Sequence, residues 1–88
     1  MFVILTYDVD EKRVAKVLKV ARKYLTWVQN SVLEGDISQA KLKMLKMELK
    51  EITEKGDRVR FYILKSTKYM KIEDLYEGTI DRNDSFIV

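Results

Sequence analysis

The chain has 88 residues, 35% of them charged, with 17 Lys and Arg against 14 Asp and Glu and a formal charge of +3. It has no cysteine and no histidine, which excludes a disulfide framework, a thiol nucleophile, thiolate or imidazole zinc ligands and a histidine general base. Chemistry is left to carboxylates, Lys, Tyr, hydroxyls or a hard metal held by oxygen.

The length fits one domain with a modest core, which favours an oligomer. The basic excess permits an acidic partner such as nucleic acid without demanding one. No basic n-region precedes the first apolar run and no segment approaches membrane-spanning length, so a cytoplasmic protein with no membrane partner is expected. Abundant Lys and Glu without proline resemble the composition of proteins from hot environments.

Phe2-Val3-Ile4-Leu5 is an apolar run followed by Thr6, Tyr7 and Asp8. It reads as a central strand buried on both faces. Asp8 falls where that strand leaves the core. It is either a turn residue or a carboxylate presented accurately by a rigid scaffold.

Asp10 is a good N-cap, and Val14, Val17, Leu18, Ala21 and Leu25 recur at helical spacing over about four turns. The outer face carries Lys12, Arg13, Lys16, Lys19, Arg22 and Lys23 against Glu11, with Lys12, Lys16, Lys19 and Lys23 in one stripe. Such crowding fits either an anionic ligand or a solvated surface helix.

Trp27–Gln29 and Val32–Gly35 predict two short strands around an Asn30-Ser31 turn, with a single long strand carrying a bulge as the alternative. Ser38 then caps a helix predicted to run to about Lys55 and stop at Gly56. Leu42, Leu45, Leu49 and Ile52 are its core stripe, while Ala40, Met44 and Met47 form a minor apolar stripe on the other side. Val59–Leu64 reads as the second central strand. Tyr69–Ile72 predicts a short strand, Leu75–Ile80 is ambiguous, and Ser85-Phe86-Ile87-Val88 ends the chain with an apolar tail suited to a sheet edge.

The order strand, helix, strand, strand, helix, strand predicts an α+β, ferredoxin-like βαββαβ sandwich with an additional C-terminal strand and both helices on one face. Residues 1–64 form the core and 65–88 an extension. There is no phosphate-cradling glycine loop, no EF-hand spacing, and no glycine in the strand that would carry an RNA-recognition motif.

Tyr7-Asp8 closing the first strand, the basic first helix, and the run Trp27-Val28-Gln29-Asn30-Ser31-Val32-Leu33-Glu34-Gly35 together resemble the CRISPR-associated protein 2 family. The resemblance runs from residue 1 to about Leu64. It implies a homodimer in which the two Asp8 carboxylates face each other and bind Mg²⁺, or Mn²⁺, for phosphodiester hydrolysis of single-stranded RNA or double-stranded DNA. It implies a role in CRISPR adaptation, with an integrase of the CRISPR-associated protein 1 type as partner and a non-catalytic bridging role as the alternative. The C-terminal segment would dock on the partner protomer's sheet edge. Beside Asp8, Tyr7 either orients phosphate or water through its hydroxyl or is a core or interface aromatic, and Lys12, Arg13, Lys16 and Lys19 of the basic helix are the candidate nucleic-acid contacts.

Overall fold

The computed structural model describes residues 1–65, 68–76 and 78–82, the last five as backbone. The elements are β1 (Phe2–Asp8), α1 (Glu11–Ala21), β2 (Thr26–Gln29), β3 (Val32–Asp36), α2 (Gln39–Ile52), β4 (Arg58–Leu64), β5 (Met70–Asp74) and β6 (Gly78–Arg82). The strands form one antiparallel sheet in the order β2-β3-β1-β4-β5-β6. Its first four strands have the ferredoxin-like order, and β1 lies between β3 and β4, the central place its apolar run predicts.

Burial alternates along β1: Val3, Leu5 and Tyr7 are buried, while Phe2, Ile4 and Thr6 are half-buried and Asp8 is exposed. Residues directly opposite on neighbouring strands share a face. Leu33 and Phe61 therefore join Leu5 beneath the helices, and Ile63 joins Val3. Val17 and Ala21 of α1 and Leu42, Leu45 and Leu49 of α2 close that core. The other face carries Phe2, Ile4, Tyr62, Leu64 and Met70, all half-buried, with neither α1 nor α2 over them. Among the described residues, the run predicted to be buried on both faces is thus covered by helices on one side only.

Asp10 caps α1 by accepting from the Lys12 N–H at 3.0 Å. The helix is shorter than its periodicity suggests. After Ala21 the backbone closes a turn through Leu25 N–H to the Ala21 carbonyl at 2.9 Å. Leu25 still reaches the core, whereas Val14, expected there, is 38% exposed. The β2–β3 hairpin turns at Asn30, whose φ of 39° is a left-handed conformation that Asn tolerates better than most residues. The Trp27 Nε1–H donates to the Asn30 carbonyl at 2.9 Å, and Arg22 lies over the indole at 5.7 Å.

Ser38 caps α2 as expected, accepting from Lys41 N–H at 3.1 Å. The helix ends at Ile52 rather than near Lys55. Thr53 leaves it in an extended conformation, its hydroxyl donating to the Leu49 carbonyl at 2.7 Å. Gly56 is therefore not the helix stop. Met44 and Met47 are exposed, at 50% and 60%. Met70–Asp74 and Gly78–Arg82 of the expected extension add strands β5 and β6 to the chain's own sheet. Phe86-Ile87-Val88 lies outside the described residues. Among the described residues, no helix is long and apolar enough to cross a membrane.

Candidate functional site at the end of the central strand

Asp8 ends β1 on the face without helices, directly opposite Arg58 of β4. Both are exposed. Neither makes a side-chain hydrogen bond or ion pair with another described residue. Side chains directly opposite in an antiparallel ladder have Cβ atoms about 5 Å apart, so a carboxylate and a guanidinium are presented side by side. An open concavity beside them is lined by Val9, Asp10, Arg13, Gly56 and Asp57.

Asp57 holds this corner together. Its Oδ1 accepts from Asp10 N–H at 3.1 Å and Arg13 Nη2 at 2.9 Å; its Oδ2 accepts from Arg13 Nε at 2.7 Å and Glu54 N–H at 2.9 Å. One carboxylate thus ties the loop after β1 to α1 and to the turn before β4. The Arg13 hydrogen bonds, with the two backbone donors, hold the Asp57 carboxyl well below the usual carboxylate range. This anchor lies beyond sequence reasoning, because its partners are 44 residues apart. Arg13, the expected phosphate contact, is engaged in this anchor and lies 3.4 Å from Glu54.

Tyr7 sits as a core aromatic: the strand's period of two turns it to the helix-covered face, away from Asp8, where it is 5% exposed. Burial raises its phenol above the ordinary value, and the side chain of Ser31 offsets part of that rise without closing a normal hydrogen bond on the hydroxyl. Lys12, Lys16 and Lys19 are exposed on α1, whereas Lys23 is paired with Glu48, which also accepts from the Tyr24 hydroxyl. On the open face Arg60 is taken by Asp74 through two hydrogen bonds of 2.8 and 3.0 Å.

The donor set bears on a metal. No cluster of three or more acidic ligands exists among the described residues. Asp57 is saturated and one oxygen of Asp10 serves as the cap, so Asp8 is the carboxylate of this corner with no partner among the described residues. Such a set does not build a closed cage. It does suit Mg²⁺, which keeps most of its waters and takes one or two carboxylates with phosphate oxygens.

A ferredoxin-like sheet with an acid and an arginine set opposite each other at the end of its central strand defines the class of domain. Comparison with known proteins gives the family. The family model for CRISPR associated protein Cas2 matches residues 1–72. The CRISPR-associated endoribonuclease Cas2 of Thermotoga maritima is 56% identical over 88 residues, covering 99% of both chains. That of Methanosarcina acetivorans is 44% identical over the whole of both. A solved Cas2 crystal structure, 48% identical, superposes with a TM-score of 0.70 over 73% of this chain and 74% of that one. Cas2 of Streptococcus pyogenes, 38% identical, does so at 0.67 over 73% and 86%. The chain belongs to the CRISPR-associated Cas2 family.

Proposed function

We propose that this chain is a homodimeric, Mg²⁺-dependent endonuclease of CRISPR adaptation that hydrolyses phosphodiester bonds in single-stranded RNA or double-stranded DNA. The observation that carries this reading is the exposed, unpaired Asp8 carboxylate at the end of the central strand, with Arg58 beside it. The names of the relatives support nuclease activity. Asp8 offers oxygen ligands to a hydrated Mg²⁺, and a second copy of the chain offers a second Asp8. Bound there, the ion would acidify a water and offset phosphate charge. Arg58 offers a rigid fork of N–H donors to a phosphate oxygen. Lys12, Lys16 and Lys19 add positive charge along the approach. A second copy would cover the half-buried apolar residues of the open face, which also accounts for the uninterrupted apolarity of β1.

The second reading, a non-catalytic scaffold that binds DNA and bridges integrase subunits of the CRISPR-associated protein 1 type, is favoured by the sparse donor set around Asp8, where no group of three or more acids gathers among the described residues. Asp8→Asn protein, prepared alongside the parent and free of contaminating nuclease, separates the two. With Mg²⁺ the parent cleaves single-stranded RNA or duplex DNA, EDTA abolishes this, and the variant loses at least ~100-fold in rate, the scale set by removing a group that positions the reacting charge. Undiminished cleavage by the variant removes the catalytic reading. Intact spacer acquisition by a cleavage-dead, dimeric variant selects the scaffold.

A further inference from the structure

We propose that the groove between α2 and strands β4 and β5 is a second contact surface for a nucleic-acid phosphate backbone, separate from Asp8. Lys43, Lys46 and Lys50 recur at i, i+3 and i+7 and stand along one side of α2 above a concavity floored by Phe61 and Leu75. A neighbouring concavity shares Lys43 and Lys46 and adds Lys65, just past β4, and Lys71 of β5. Five lysines therefore line a continuous groove. Against them stand two carboxylates. Asp74 is taken by Arg60, and Glu73 is shared between Lys46 and Lys71, the latter at 3.2 Å. The groove is left strongly positive. Burial, and then the charge of Lys71, push the Lys46 ammonium below its ordinary value.

Cations held this close on rigid elements repel one another, and a polyanion relieves that repulsion. Lys43 and Lys50 are separated by about 10 Å along the helix, far enough to reach more than one phosphate of a strand, whose charges advance about 3.4 Å each along a duplex axis. Phe61 is fully buried, with Lys46 5.5 Å from its ring, so the floor offers no exposed ring for stacking a base. Ammonium groups act as point charges, which suits phosphates irrespective of base sequence. The groove lies on the helix side of the sheet, whereas Asp8 faces the other side, so the inference does not depend on the nuclease reading.

The test measures binding of the full chain to labelled duplex DNA, duplex RNA and single-stranded RNA of one sequence, in EDTA, from 50 to 200 mM salt. The variant is Lys43→Gln/Lys50→Gln, two exposed positions. The control is Lys41→Gln/Lys55→Gln, which removes the same charge outside the groove. The groove variant is expected to bind roughly tenfold more weakly, with a salt slope smaller by about 1.8 for duplex or 1.4 for single strands. The arm that shows this identifies the nucleic acid. Equal behaviour of variant and parent in every arm, or of variant and control, overturns the proposal. So does a larger loss for poly-glutamate than for any nucleic acid, which assigns the groove to an acidic protein. Adding Asp8→Asn leaves the slope difference in place, so failure here and failure of the nuclease reading are told apart.

Discussion

Arg13 of α1 and Asp57 before β4 close a two-point ion pair, Nε to Oδ2 at 2.7 Å and Nη2 to Oδ1 at 2.9 Å, that fixes the corner from which Asp8 projects. The Asp57 side chain is 4% exposed and also satisfies two backbone N–H groups. Removing it orphans all of these donors at once. Asp57→Ala is expected to destabilise the chain by about 2–3 kcal/mol, the scale for charged hydrogen bonds and broken buried pairs. At ~4–8 °C per kcal/mol for a domain of this size, calorimetry should show the melting temperature falling by roughly 10–20 °C.

The same anchor sets a pH dependence. Asp57 and Asp74 titrate below their ordinary range in the folded chain, held there chiefly by hydrogen bonds from Arg13 and Arg60. As pH falls the unfolded carboxyls take up protons first, so this stability is complete above the unfolded value of about 4 and drains away toward the native values. The melting temperature should be nearly flat from pH 7 to 5 and decline below about pH 4. Asp57→Asn should start lower and decline less over the same interval. Parallel curves for parent and variant would show that Asp57 does not carry the effect.

Tyr7→Phe discriminates a packing residue from a catalytic one. The hydroxyl is buried and lacks a hydrogen bond of normal geometry, so its loss exposes no partner. Cleavage should stay within about twofold of the parent. The melting temperature should hold or rise, because an unsatisfied buried polar group costs on the order of 1 kcal/mol. A large loss of rate with unchanged melting would return Tyr7 to the site.

Gly56→Ala should stabilise. A Cβ there meets nothing within 4 Å, and the backbone is outside the left-handed region. Narrowing the unfolded ensemble adds about 0.4–1 kcal/mol at such a position. A fall in melting temperature would instead mark Gly56 as conformationally required.

The open sheet face is proposed to meet a second copy of the chain. Ile4 lies on it in the central strand, opposite Tyr62. Ile4→Lys places a charge on that face without touching the helix-covered core. Sedimentation of the variant should give a folded monomer where the parent gives a dimer. A dimer undisturbed by Ile4→Lys would place the interface elsewhere.

Local signals in the sequence located most of the elements. The caps at Asp10 and Ser38, the Asn30-Ser31 turn and the stripe Leu42, Leu45, Leu49 were legible because they depend on residues within one or two turns of each other. Helix ends were less so. The periodicity through Leu25 continues past α1 because that residue reaches the core from a turn. Gly56 drew attention away from Thr53, whose own hydroxyl accompanies the end of α2. At the candidate site, Asp8 could be marked from its place after an apolar run.

The sequence by itself determined the α+β order, the central position of β1 and the chemistry left available once histidine and cysteine are absent. Each follows from composition or from spacing within an element. Only the tertiary structure decided which face each strand residue uses and which charges are already paired. Register placed Arg58 beside Asp8 and turned Tyr7 away, and a contact across 44 residues tied Arg13 of the basic helix to Asp57. The lysines of α2 and β5 became one groove for the same reason: charge accumulates at a surface through packing between elements, which no window along the chain contains.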